Sequence, residues 1–459
     1  MHNIDISIIL LYLVICLVIG LFKYSKINNI KEYALGIKKF PLSVLIATLF
    51  ATFIDSSMTI GIVEKVYIIG ISFIFVQLIA PIFWIISAKI FSKRIGKFIG
   101  CVSISDIMEK LYGTSGKWIT NVASLCISIG SIAIQISALS YMFEYFLGIE
   151  RVIGSIVGAV IIISYSLLGG IRAVAMTDLF QFIIFFIAIP TACAEAYHDV
   201  GGYSGLINAL PKSYLSIIPT KEHMLFVLSL FFFILIPDTR GIVIQRFLIA
   251  KDTVTLKKVL YITAALHFCL AIIICLSGLI IRAKSPDIDP NTAFLYMINH
   301  YLGTGLIGLM VAGMLAVIMS TADSWINTSS ILCAHDIIKK IKPQISNQQE
   351  LLIARVSSIF ITALSIVLVL SQDSIFDLLC FVSNFWEPII VIPLCAGFLG
   401  FQTNSKSFVI ATISAICFAS CSYYFIKEFG LTTLLFGMIG NALGLFISHC
   451  YFKFKSLKA

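Results

Sequence analysis

Charge is what this chain is short of. Only 12% of its 459 residues are Asp, Glu, Lys or Arg, 59% are hydrophobic, and mean hydropathy is +1.03. Soluble domains carry roughly 25% charged residues, so this composition excludes a globule covered by water. Long polar stretches are missing as well. None between the apolar runs exceeds about 25 residues, which leaves no room for a soluble domain and predicts one membrane-embedded unit over residues 1–459. The 12 cysteines form no CxxC pair, and the seven histidines have no metal-ligand spacing. Neither a zinc site nor a disulfide framework is therefore expected. No nucleophile elbow, P-loop, kinase signature or pair of carboxylates in a soluble cleft occurs, so neither an enzyme nor a cofactor is expected. The GTGLIG run at 303–308 opens an apolar span with no strand before it, which excludes a dinucleotide site. The first apolar run, 6–22, lacks a basic leader and a small-residue cleavage site and reads as a retained helix.

What remains is apolar length. A spanning helix needs about 20 apolar residues. Candidates fall near 6–22, 41–69, 71–91, 118–147, 152–168, 178–197, 223–248, 258–281, 303–332, 351–371, 375–400, 407–426 and 431–452, thirteen in all. The net charge of +9 follows their alternation. Of 32 Lys and Arg, 24 fall on one side, beginning with Lys23, Lys26, Lys31, Lys38 and Lys39; seven fall on the other, and Arg240 lies inside a span. Basic loops stay in the cytoplasm. The expected topology is a multi-pass protein of the cell inner (plasma) membrane, with the N-terminus outside and the C-terminus inside. The charge is spread along loops rather than clustered, so lipid is the expected surroundings and nucleic acid is not a partner.

Two spans carry polar or turn-forming residues at mid-depth. The second reads LFATFIDSSMTIG at 49–61, and the seventh reads ILIPDTRGIVIQR at 234–246. A charge at the bilayer centre costs about 2.5–3.5 kcal/mol on insertion scales, so such residues turn inward. Pro237 lacks a backbone donor, and Gly241 tolerates irregular dihedrals. The two spans are five helices apart. They would open two inverted repeats, the arrangement in which transporters place broken helices around a midplane site. A pair of ordinary kinked helices with internally paired charges is the alternative.

Four segments carry a family resemblance. GGIRAVAMTDLFQF at 169–182 resembles the signature of the sodium/solute symporter family, with Gly169, Gly170, Ala173, Val174, Thr177, Asp178 and Gln181 matching. MSTADSWINTSSILCAHD at 319–336 is similar to the family's hydroxyl-rich ninth span. SISDIMEKLYG at 103–113 resembles the segment after the third span, with Leu111 where arginine is usual. Gln245-Arg246 through Asp252 resembles the end of the seventh. The resemblance implies a five-plus-five inverted-repeat (leucine-transporter-like) all-α core over 41–400, with one helix before it and two peripheral helices, 407–452, after it. It also implies sodium as the coupling ion. The ligands would be the carbonyls of Ala51, Ile54 and Val317 and the hydroxyls of Ser320 and Thr321. A second cation or exit path would use Asp178, Asp323 and Ser324. Taken singly, Ser320 and Thr321 could instead bond back to their own helix, and Asp178 could be an acid at a helix start.

Asp55 stands where that family usually has serine. It and Arg240 could pair with each other, could hold the ammonium and carboxylate of a zwitterion, or could divide cation coupling from an anionic substrate. Ser56, Met58 and Gln135, together with Asn384, Trp386 and Glu387, are further candidates for the cavity wall. The expected function is sodium-coupled import of a small organic solute, an amino acid such as proline, by alternating access. A proton-coupled carrier or a solute sensor of the same fold is the alternative.

Overall fold

The computed structural model describes residues 2–22, 29–36, 40–98, 100–370 and 374–458. Lys23, Lys26, Lys38 and Lys39, expected in the first cytoplasmic loop, lie outside the described residues, as does position 371 at the end of the tenth span. Among the described residues every regular element is helical and no strand occurs. Eight helices among the described residues are long and apolar enough to cross a bilayer, or nine when the bent pair Leu42–Phe53 and Ser57–Ile69 counts as one. Shorter apolar helices, Asn3–Cys16, Ile71–Ile86 and Arg151–Ser164, fall on three more expected spans, and an interrupted helix falls on the seventh. The fifth and sixth expected spans run together in the helix Arg151–Asp199. The outer helices turn large apolar side chains outward: Phe360 is 65% and Val367 71% exposed. Unpartnered apolar surface on that scale fits hydrocarbon, not water.

Both interruptions have local causes. The helix Leu42–Phe53 stops at Ile54, whose backbone is extended (φ −99°, ψ 103°), and the chain restarts through a π-helical turn, Ser57–Gly61, after a 57° bend. Asp55 drives the restart: its Oδ1 accepts from the Met58 amide at 2.9 Å and the Ser57 hydroxyl at 2.5 Å, in the manner of a helix cap. In the seventh span the helix Lys221–Ile234 ends before Pro237. Asp238 then accepts from the Arg240 amide at 3.1 Å, and Gly241–Leu248 begins a new helix.

The Leu306–Ile331 helix runs through the middle of the bundle, against Arg151–Asp199, Asn3–Phe22 and the first broken span. Its close approach relies on Gly313, where a Cβ would lie 2.8 Å from the Ala188 Cβ. The GTGLIG run has a packing role: Asp5 of the first helix accepts from the amides of Gly305 (2.7 Å) and Gly308 (3.0 Å). The last two helices, Ser405–Ile426 and Leu431–Lys458, pack on each other through Gly440 and Gly444.

Candidate sodium site and solute cavity

The first break brings carbonyls and hydroxyls face to face. Thr321 Oγ1 lies 3.4 Å from the carbonyl oxygens of both Ala51 and Ile54, and Ser320 Oγ lies 3.3 Å from those of Ala51 and Val317. All five residues are fully buried. Hydroxyl-to-carbonyl hydrogen bonds are usually about 2.7–2.8 Å, so these contacts are long for direct bonding. A cation that holds oxygens at about 2.3–2.6 Å, as calcium does, sets ligands at right angles about 3.3–3.7 Å apart. The sodium ion is close to calcium in size, and this oxygen spacing suits it. The cage contains no formal charge, which keeps binding weak enough for release.

On the other side of the same break, both interrupted spans line a cavity of about 150 Å³. Asp55, Ser57 and Met58 come from the first break, and Pro237, Asp238 and Arg240 from the second. Glu387 enters from the eleventh span, where the helix Ile375–Ser383 gives way to a π-helical turn, Glu387–Val391. Such irregular turns often mark functional positions. Phe53, Trp84 and His267 form an aromatic wall, with ring centroids 3.7 Å and 4.3 Å apart in succession.

Below the cage, Arg246 organises a buried polar network. Its guanidinium donates to Thr48 Oγ1 (3.1 Å), Gln245 Oε1 (3.0 Å) and Ser324 Oγ (2.5 Å), and its Nη2 lies 3.7 Å from Asp178 Oδ2. Thr48 donates to the same Asp178 carboxylate. This ties Gly241–Leu248, the second half of the second broken span, to the first broken span and to the central helix. Asp178 Oδ1 is buried without a hydrogen-bond partner among the described residues.

The sequence profile of the sodium:solute symporter family matches residues 33–406. The chain belongs to that family. Membership makes this symporter a transporter rather than an enzyme, with sodium as the coupling ion. It is 24% identical over 465 residues to the sodium/pantothenate symporter of Escherichia coli, covering 94% of this chain and 95% of that one. It is 25% identical over 393 residues to the high-affinity choline transporter 1 of Drosophila melanogaster. That match covers 81% of this chain but 63% of the relative's length, so the symporter spans less than two thirds of that protein. Among solved structures, a sodium-coupled sialic acid symporter matches with a TM-score of 0.79 at 18% identity over 98% of each chain. The fold is the five-plus-five inverted-repeat type, all-α, with two broken helices.

The symporter's expected ion ligands, Ala51, Ile54, Val317, Ser320 and Thr321, converge in one place. Its expected cavity residues divide. Asp55, Met58, Arg240 and Glu387 line the cavity, whereas Ser56, Gln135, Asn384 and Trp386 do not. Ser56 donates to Gln135 Oε1 at 3.0 Å, both fully buried, so the two join the first broken span to the helix Ile104–Leu147. Of the three arrangements open to Asp55 and Arg240, a direct hydrogen-bonded pair is not the one the structure shows. Arg240 pairs with Asp238, Nη2 to Oδ2 at 2.5 Å and Nε to both carboxylate oxygens at 3.0 Å. Asp238 is two residues away and needs no long reach. Asp178, Asp323 and Ser324 are all buried, but Arg246 stands between Asp178 and Ser324 as a side-chain cation, which any second ion must accommodate.

Reading the sequence missed the roles of Arg246, Thr48, Trp84 and His267. Arg246 was visible in the family-like segment, but its partners come from three distant helices. Asp106, His335 and Asp336 bring possible metal-ligand atoms within 4.8 Å of one another. Lys117 Nζ already lies among them, 3.0 Å from Asp106 and 3.8 Å from Asp336.

Proposed function

We propose that this protein is a sodium-coupled symporter that imports a small organic solute across the plasma membrane by alternating access. Sodium occupies the cage of Ala51, Ile54, Val317, Ser320 and Thr321, and the solute occupies the cavity between the two breaks. The observation that carries the reading is the meeting of freed carbonyls in the first broken span with two hydroxyls of the central helix, at the spacing an alkali ion needs. Asp178, Asp323 and Ser324, below that cage, form the exit path, with Arg246 holding Asp178 between ions. The residues 1–459 act as one transporter unit, with the inverted-repeat core at 41–400. The basic loops put the N-terminus outside and the C-terminus in the cytoplasm of a cell whose inner membrane holds the protein.

The carboxylate of an amino acid such as proline would have to be met by Arg240 or by backbone amides at the helix breaks. Asp238 holds Arg240, and that weighs against proline. The relatives are named for solutes as different as pantothenate and choline. Uptake into proteoliposomes under a sodium gradient, a proton gradient or neither tests the coupling. Sodium-driven accumulation is the expected result. Accumulation driven by protons alone would make this a proton-coupled carrier, and solute binding without any uptake would make it a sensor.

A further inference from the structure

The walls of the cavity are unequal in charge. Three carboxylates face it, those of Asp55, Asp238 and Glu387, against the single guanidinium of Arg240. Arg240 and Asp238 neutralise each other through the close pairing described above, and Asp238 also accepts from the Arg240 amide. Arg240 also lies within electrostatic reach of Asp55 and Glu387, but one guanidinium cannot balance three carboxylates, and no lysine and no second arginine lines the cavity among the described residues.

Both acids keep an oxygen available. The two hydrogen bonds to Asp55 fall on Oδ1, and among the described residues Oδ2 accepts none. Glu387 is 7% exposed, and its Oε2 has no hydrogen-bond partner among the described residues. A buried carboxylate oxygen without a donor is costly, and the cavity beside it is where a donor can come from. The remaining wall is aromatic. Trp84 lies between Phe53 and His267, and Phe376 adds a further ring to the lining. Ring faces attract cations that carry an apolar shell, whereas a strongly hydrated alkali ion would give up more in water than a ring face returns.

We infer that the solute is a small organic cation. Its positively charged nitrogen lies between Asp55 and Glu387, and its apolar carbons lie on the Phe53–Trp84–His267 wall. The inference rests on the reading that this cavity is the solute site of a sodium symporter. It adds the charge class. A zwitterion or an anion would bring its carboxylate beside these acids, with Arg240, the one guanidinium lining the cavity among the described residues, already paired to Asp238, so that carboxylate would depend on backbone donors at the breaks. The first-break geometry joins the two functions: Ile54 gives its carbonyl to the ion cage, and the next residue, Asp55, faces the solute.

The test uses the purified full chain with probes of four charge types: choline and tetramethylammonium as cations, proline as zwitterion, pantothenate as anion and glucose as neutral solute. Thermal stabilisation in sodium and uptake into proteoliposomes are both measured. The expected result is a sodium-dependent response to the cations at concentrations at least tenfold below those needed for any other probe. Glu387→Gln should weaken the cation response about tenfold and leave the sodium dependence in place. Glu387→Asp, which keeps the charge, should retain the preference for cations and shows that the site still folds. Preference for proline, pantothenate or glucose, or silence toward both cations, overturns the charge assignment while sodium-driven uptake of another probe leaves the symport reading standing. A Glu387→Gln protein that alters only the sodium dependence also overturns it, because the carboxylate would then serve an inorganic ion. Uptake that ignores the sodium gradient overturns the symport reading itself and the inference with it.

Discussion

Thr321→Val is the sharpest test of the ion cage. Valine has the shape of threonine, so the substitution removes the hydroxyl from a fully buried position without opening a hole. The lost oxygen faces two carbonyls, Ala51 and Ile54, each 3.4 Å away. A contact between a polar group and an ion contributes about 1.5–3 kcal/mol net. Each 1.4 kcal/mol is a factor of ten in affinity, so half-saturating sodium should rise between about tenfold and about 140-fold. The assay is initial uptake into proteoliposomes against external sodium, at fixed solute and fixed ionic strength. Thr321→Ser restores the oxygen and should bring the sodium requirement most of the way back. Ser329→Ala is the control: that hydroxyl is equally buried in the same helix but donates to the Ile326 carbonyl at 3.2 Å, away from the cage. A Thr321→Val protein whose sodium requirement stays within about twofold of the parent would refute the reasoning, since no ligand of an ion can be lost so cheaply.

Lys117→Met leaves the fully buried Asp336 without the ammonium 3.8 Å away and removes one partner each from Asp106 and Glu109, the latter still held by Lys340; losing one partner of a buried ionic group costs about 3–5 kcal/mol, so the melting temperature in detergent should fall, and adding Asp336→Asn should recover part of the loss. Gly130→Ala places a Cβ 2.0 Å from Val382 Cγ1; overpacking costs about 1–3 kcal/mol, and Val382→Ala in the same chain should relieve it, again read from thermal unfolding. Asp5→Ala removes the acceptor for the amides of Gly305 and Gly308, and loss of such a cap should lower stability by about 0.5–2 kcal/mol without changing the sodium dependence of uptake.

The parts of this molecule that were legible in the sequence are those encoded by short-range pattern. Apolar length gave the helices, and both breaks were visible because Asp55 and the Pro237–Gly241 run put capping and turn-forming residues where hydrocarbon should be. The hydroxyl pair Ser320-Thr321 needed the family resemblance, since hydroxyls bonding back to their own helix look the same in sequence. Here Ser324 does bond back, to Ser320 O at 2.9 Å, and four positions separate them as that habit requires. What stayed hidden depends on the third dimension. Asp55 and Arg240 look like natural partners across the two breaks, and only the fold reveals that Asp238 reaches the guanidinium first. Trp84 and His267 carry no motif at all. They matter because the helices Ala80–Ile95 and Thr253–Lys284 pack together beside Phe53.

The two sites share one short piece of backbone, and coupling follows from that. Ile54 is extended because Asp55 caps the helix that restarts at residue 57, so the carbonyl freed for the ion and the carboxylate presented to the solute are set by the same pair of dihedrals. On the proposed assignment, sodium between Ile54, Ala51 and the hydroxyls of the central helix would fix that segment and join the first broken span to Leu306–Ile331. With the segment fixed, Asp55 no longer has to be ordered when solute arrives, and the ordering cost moves from one binding event to the other. Linkage requires the reverse as well: bound solute must tighten sodium by the same factor. Each sodium ion that crosses contributes about 2.3 kcal/mol per 100 mV of membrane potential. An ion cage without formal charge suits this use, because a carboxylate among its ligands would hold the ion in the state from which it must leave.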